Sequence, residues 1–269
     1  MSDSLFRNYI ASVKNVIEPT KNDIVSIVLF GSMANKQAVR SPSTDVDLLV
    51  VVSDLCSSSK FIKIKRSLLR VENEFFSRFR KDETSFFSTG LQGATGMFVN
   101  IFVCRFSDIK DRRFSKVFNT NSIISSLLAP KNSVWISILK KHTIIFGKNI
   151  FQEWETSPKI HGSDLIKSFI MNWLLSLGAL IFFPIHKQIK KFSMEAMKWS
   201  LFTWSNFNNL PETQLKQIVA QFISNASMME CRALREFLML REEREITNYF
   251  PFLAWIFVFK IHYSLFKKY

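Results

Sequence analysis

The chain has 269 residues, of which 47% are apolar, with only 7 Gly and 7 Pro and a formal net charge of +14. That composition supplies side chains for two modest cores and excludes a disordered, repetitive or low-complexity chain. Three widely spaced cysteines, Cys56, Cys104 and Cys231, exclude a disulfide framework, a cysteine zinc site and a disulfide-linked partner, and they point to a reducing, cytoplasmic setting.

A helix over 4–17 is expected first, followed by the polar connector EPTKND. Residues 25–30, VSIVLF, then read as a buried strand. Gly31 lets the chain turn sharply at the strand's end. Ser32 follows at or next to a helix N-cap, where free backbone N–H groups, the helix dipole and a hydroxyl can meet a phosphate. A second apolar run opens with Asp45 and Asp47. Their i, i+2 spacing aims both carboxylates to one side of a strand and turns Val46 toward the core. Two hard oxygen ligands on one face suit Mg²⁺.

The segment 27–52, IVLFGSMANKQAVRSPSTDVDLLVVV, resembles the signature of the DNA polymerase beta-type nucleotidyltransferase superfamily. It is similar in particular to the bacterial stand-alone and aminoglycoside-modifying members. The resemblance implies a small mixed sheet, two Mg²⁺ ions held by Asp45 and Asp47, and a triphosphate cradle at Gly31 and Ser32. It also implies transfer of a nucleoside monophosphate from a nucleoside triphosphate to an acceptor hydroxyl. Asn35-Lys36 replaces the usual Arg-Gly of that family, and the loop is longer than in its minimal members.

Residues 57–82 repeat apolar positions at helical spacing, with Phe61, Ile64, Leu68 and Leu69 on the packing side and Lys63, Arg66 and Arg70 elsewhere; this is expected to be a crossover helix. The basic residues of that helix form either a nucleic-acid face or an ordinary solvated one. Strands are expected over 84–90 and 96–106, and then a loop with a short helix over 106–118. Many superfamily members carry a third carboxylate on the later strand, where Asn100 is the only polar residue expected inside. An amide can ligate a metal but cannot accept a proton, and a missing general base costs about 10²- to 10⁴-fold in rate. Asp82 or Glu83 from the preceding strand, or a residue of another domain, would have to substitute.

Residues 133–154 resemble the closing segment of the aminoglycoside-type enzymes, a helix running into an apolar stretch. The polar stretch 155–164 marks the boundary, giving a nucleotidyltransferase domain at 1–154 and a helical bundle at 155–269. Five helices are expected beyond it, over 164–183, 191–204, 212–226, 230–245 and 252–266. The overall class is therefore α/β, more strictly α+β. On the second of those helices Glu195 and Lys198 share a face. In similar two-domain enzymes such a helix presents a Lys to the triphosphate and, in some, a Glu to the acceptor. The plain alternatives are a surface Lys and a local ion pair.

Residues 168–185 form a charge-free run of eighteen residues, the lower limit for a membrane span. Polar and helix-breaking interruptions favour a buried bundle helix over membrane association. Residues 1–150 hold 22 Lys and Arg against 12 Asp and Glu, and residues 151–269 hold 14 against 10, so the positive field belongs mainly to the first domain. It favours anionic partners such as nucleoside triphosphates or nucleic acid. The second domain has few acidic residues besides Glu195, Glu230 and Glu236 to hold a cationic drug, which weakens a drug-modification reading. A phosphorylated small molecule, a protein hydroxyl or a nucleic-acid end is left as acceptor. Two readings emerge: an Mg²⁺-dependent nucleotidyltransferase, or a non-catalytic nucleotide- or nucleic-acid-binding module that keeps the fold with Asn100 in place of the third carboxylate.

Overall fold

The computed structural model describes residues 3–34, 46–80, 99–154, 156–183, 189–210, 214–242, 244 and 246–269. Helix α1 is Asp3–Ile17, and a 3₁₀ turn opened by Pro19 leads into strand β1, Ile24–Phe30. Strand β2 is Asp47–Val52, helix α2 is Ser58–Arg80 and strand β3 is Ile101–Arg105. Short helices α3 (Phe106–Lys110), α4 (Phe114–Val117) and α5 (Ser122–Leu128) follow, then α6 (Lys131–Lys140) and strand β4 (His142–Gly147).

The sheet order is β3-β2-β1-β4, with β1 antiparallel to both neighbours and β2 parallel to β3. The sheet is therefore mixed. Both faces of β1 and β2 are covered, which is why each reads as a continuous apolar run instead of an alternating one. One face, built from Ile27, Leu29, Leu48, Val50 and Val103, packs on Tyr9 and Val13 of α1 and on Ile64, Leu68 and Val71 of α2. Val46 is fully buried in the same core. The opposite face carries Phe30 and Phe102, whose ring centroids are 5.9 Å apart, and Phe102 meets Phe118 at 5.2 Å.

Two features differ from the sequence reading. The apolar stretch after α6 is a full strand, β4, which pairs with β1 from Ser26 to Phe30. Helix α6 packs not with the sheet but with the helical part of the chain: the first compact unit takes in Lys141–Ser157, whereas Leu127–Lys140 joins Pro158–Tyr269 in the second. The strand expected over 84–90 lies outside the described residues.

The second unit comprises α6 with α7 (Gly162–Phe182), α8 (Lys190–Phe207), α9 (Leu215–Ile223), α10 (Met228–Arg241) and α11 (Phe250–Lys268). Its apolar core joins Met197 and Leu201 of α8, Ile218 and Phe222 of α9, Phe237 of α10 and Phe250 and Phe257 of α11. Each of the fully buried phenylalanines contributes about 1.5–3 kcal/mol by leaving water. Helix α6 is tied in by polar contacts. Asn132 Nδ2 donates to Asp164 Oδ2 at 3.0 Å, and Asn206 Nδ2 donates to Ser133 Oγ at 3.2 Å and to Ser137 Oγ at 3.1 Å.

A second, polar seam joins α7, α8 and α11. His262 Nδ1 lies 2.8 Å from the Val258 carbonyl, which can only accept, so Nδ1 carries the proton and Nε2 is left to accept from the Ser168 hydroxyl at 3.3 Å. Ser168 Oγ in turn accepts from Thr203 Oγ1 at 2.6 Å and from Asn172 Nδ2 at 3.2 Å. These four side chains are all buried. Burial pushes the His262 pKa down from 6.5 to about 4, with the Val258 hydrogen bond acting the other way, so the ring is neutral at pH 7 as the network requires.

Candidate active site

Strand β1 ends at Phe30, and the backbone turns at Gly31, whose φ of +73° lies in the region that favours glycine. A 3₁₀ turn, Gly31–Ala34, follows. Met33 and Ala34 are buried, and Thr143 Oγ1 of β4 donates to the Ala34 carbonyl at 3.0 Å, which pins the far end of the turn to the sheet. Ser32 occupies the second position of that turn. Its side chain, and residues 35–45 including Asp45, lie outside what is described.

The antiparallel register pairs Phe30 with Asp47, so the first residue of β2 stands beside the last of β1 and next to the turn. Asp47 Oδ2 stands closer to the position where a Cβ on Gly31 would be built than a real Cβ contact allows. No other residue type leaves that space, because any side chain would strike the carboxylate and would also strain the backbone at positive φ. The glycine bend and the carboxylate thus form one piece of local geometry.

The same level of the sheet carries two further polar residues. Phe30 pairs with His142 of β4, and the parallel pairing of Leu48 with Ile101 sets Asn100 level with Asp47. The row His142, Phe30, Asp47 therefore crosses β4, β1 and β2 on one face, and Asn100, the residue before β3, continues it, since directly paired residues project to the same side. Leu48 N–H donates to the Asn100 carbonyl at 2.7 Å, and the Asn100 N–H donates to Glu72 Oε1 of α2 at 2.8 Å. Asn100 and Glu72 are both buried. His142 sits edge-on to Phe151, with ring centroids 4.9 Å apart.

Glu72 and His142 were not singled out by the sequence reading. Glu72 was findable, because it falls four residues after Leu68 and three before Phe75, inside the apolar stripe of its helix. A carboxylate inside such a stripe is buried for a reason, here the backbone amide that starts β3. His142 was visible only once β4 was recognised as a strand paired to β1.

Glu195 and Lys198 belong to the second unit, one turn apart on α8. Lys198 Nζ and Glu195 Oε2 are 2.5 Å apart, with side chains only 19% and 13% exposed. The lysine also stands 5.8 Å from the Trp199 ring centroid. Each therefore satisfies the other's charge within the helix.

Among the described residues, no three His, Cys, Asp or Glu side chains cluster as metal ligands. Asp47 is the carboxylate of the expected metal pair that the structure places. It is half-buried beside an amide and at the mouth of a glycine turn, a hard-oxygen setting suited to Mg²⁺.

The combination of a small mixed sheet with flanking helices and a following helical unit has a solved counterpart. The spectinomycin adenyltransferase AAD(9) from Enterococcus faecialis, in a crystal structure with ATP and spectinomycin, superposes with a TM-score of 0.55. The match covers 96% of this chain and 98% of that one at 11% identity. At that identity the likeness concerns the fold, and the chain accordingly has a nucleotidyltransferase-like fold. No protein-family model and no curated protein sequence matches the chain.

Proposed function

We propose that this protein transfers a nucleoside monophosphate from a nucleoside triphosphate to the hydroxyl of a small-molecule acceptor, with Mg²⁺ as cofactor. The observation that carries the reading is the Asp47 carboxylate standing where Gly31, at positive φ, lacks a side chain. That contact makes a bare backbone turn and an acid neighbours, which is what a polyphosphate tail and its counter-ion need together. The likeness to an adenyltransferase solved with ATP supports ATP as the first donor to test, and its spectinomycin supports a small-molecule acceptor.

In this reading Gly31 and Ser32 offer backbone N–H groups to the triphosphate, and the missing side chain of Gly31 leaves room for the Asp47 carboxylate beside them. Asp45 and Asp47 would hold magnesium, which when bound supplies charge neutralisation at the reacting phosphate. Lys198 is assigned to the triphosphate and Glu195 to deprotonating the acceptor hydroxyl. Both roles require their mutual ion pair to open when substrates bind. A carboxylate base from the helical unit would also explain why an amide, Asn100, suffices beside Asp47.

The test is incubation of the protein with each labelled nucleoside triphosphate, Mg²⁺ or Mn²⁺, and either spectinomycin or a cell extract. Pyrophosphate release with label on an acceptor, lost in the Asp45→Ala/Asp47→Ala variant, is the expected result. Unchanged release in that variant sinks the assignment.

A second reading is supported by Asn100 lying level with Asp47 where many superfamily members carry an acid. In it the chain binds a nucleotide or nucleic acid without turning it over. Saturable nucleotide binding with no pyrophosphate from any donor would select that reading.

A further inference from the structure

Helix α7 carries its polarity the opposite way from a helix that faces water. Ser168, Asn172 and Ser176, spaced four residues apart, are at most 1% exposed, whereas Ile166, Ile170, Leu174 and Ile181 are 36–59% exposed. Helix α11 buries an apolar stripe that includes Phe257 and Ile261 in the core, yet exposes a second apolar row on its other side, with Phe252, Phe259 and Phe266 40–48% exposed. A water-facing helix places its apolar stripe inward. Polar contacts inside and aliphatic or aromatic side chains outside are the arrangement of helices whose outer solvent is lipid.

The two outward faces form one strip. Phe169 of α7 lies 6.2 Å from Phe259 and 5.7 Å from Phe266 of α11, and Trp173 lies 6.3 Å from Trp255. Phe169, Trp173, Trp255, Ile256 and Phe259 line a cavity of about 320 Å³ in it. By length and composition α7 is able to cross a membrane, yet only a third of its apolar window is buried. Its bonds from Ser168 and Asn172 to the rest of the seam hold it docked on α8 and α11, so one side alone is free to meet another phase.

The rim of the strip is basic. Helix α11 holds Lys260, Lys267 and Lys268 and no acidic residue. Lys267 Nζ stands 4.6 Å from the Tyr263 ring centroid, and at the other end of α7 Lys190 Nζ stands 5.2 Å from that of Phe183. The one acid of α7, Asp164, is buried and accepts from Asn132 and His161. On a chain of net charge +14 a second copy would set lysine against lysine. A partner with an anionic rim and an apolar interior is what the strip complements.

We propose that the α7–α11 strip seats on the surface of an anionic phospholipid membrane, with its aromatic rings at the acyl boundary and its lysines among the headgroups. Amphipathic faces of Trp, Phe and Leu bordered by Lys bind in this way, and each lysine adds to the attraction. This stands apart from the nucleotide chemistry and survives its failure.

The test is co-sedimentation of the full chain with phosphatidylcholine vesicles and with vesicles containing one part in three phosphatidylglycerol, together with tryptophan emission and light scattering of the free protein. Partition onto the anionic vesicles at least tenfold above the neutral ones is expected, with a blue shift of the emission. The Lys190→Glu/Lys260→Glu/Lys267→Glu variant should lose about 100-fold of that partition at about 1 kcal/mol per lysine. Phe259→Ser/Phe266→Ser should lose the blue shift while keeping the far-ultraviolet circular dichroism of the parent. Failure to bind anionic vesicles overturns the proposal, whether the free protein is a monomer or a dimer that covers the strip with a second copy. So does equal binding to neutral vesicles.

Discussion

The carboxylate of Asp47 fills the volume that a side chain on Gly31 would need. The contact joins the end of β1 to the start of β2 through the pairing of Phe30 with Asp47. Gly31→Ala should therefore act twice. The left-handed backbone costs about 1–2 kcal/mol, and the new methyl pushes the carboxylate away. Nucleotide affinity, measured by calorimetry with Mg²⁺ present, should fall by at least about tenfold, which is about 1.4 kcal/mol. Because the clash needs both residues, Gly31→Ala/Asp47→Ala should be less destabilised in urea than the sum of the single changes. Strict additivity would show that the two side-chain positions do not touch in solution.

Asp47→Asn separates charge from shape. The amide keeps the fit against Gly31, so the unfolding midpoint should move by no more than about 1 kcal/mol of stability. Pyrophosphate release should drop by at least about 100-fold, since the metal ion that Asp47 would help to hold supplies several kcal/mol of charge stabilisation at the reacting phosphate. A variant with parental turnover would remove Asp47 from the chemistry.

How far the sequence carried this can be traced residue by residue. Strands β1 and β2 were legible because Ile27–Leu29 and Leu48–Val52 are unbroken apolar runs buried on both faces, and Gly31 because a sharp turn must follow such a run. Strand β4 was legible only as an apolar stretch; its pairing partner lies more than a hundred residues away, and no local pattern encodes that register. The placement of α6 was hidden for the same reason, since it depends on Asn132 finding Asp164 and on Asn206 finding Ser133 and Ser137. The charge-free run at 168–185 was expected to be buried. Over 168–182 the buried side carries Ser168, Asn172 and Ser176 beside Leu175 and Ala179, because Ser168 links Asn172 to His262 there, and Ile170, Leu174 and Ile181 are left outside. Asp45, Asp82 and Glu83 fall outside the described residues.

The Glu195–Lys198 pair offers a test of whether α8 serves chemistry or only stability. A partly buried pair one turn apart is worth a few tenths of a kcal/mol when intact, about 0.2–0.5, and removing one partner leaves the other less well satisfied. If the assigned roles hold, Glu195→Gln should lower kcat by about 10²- to 10⁴-fold, while Lys198→Met should raise the nucleotide KM more than it lowers kcat. Urea melts of both variants and of the double change serve as control. A lowered midpoint with untouched kcat and KM would leave the pair a helix contact and nothing more.

His262 makes the helical unit sensitive to acid in a direction that can be worked out. Its folded pKa is pushed down to about 4 by burial, below the ordinary value of 6.5 that it recovers on unfolding. Between those values the unfolded chain binds a proton that the folded chain does not, so stability is full above pH 6.5 and falls as the pH drops toward 4. A shift of that size corresponds to about 3 kcal/mol lost by pH 4. Urea unfolding followed from pH 7.5 to pH 4 should show this slope, over and above the contribution of carboxylates. His262→Gln cannot take up the proton. It should begin less stable at pH 7.5, with the Ser168 hydroxyl poorly matched, and should then lose about 3 kcal/mol less than the parent across the same range. Parallel curves for the two proteins would mean that the ring is not held neutral between Val258 and Ser168.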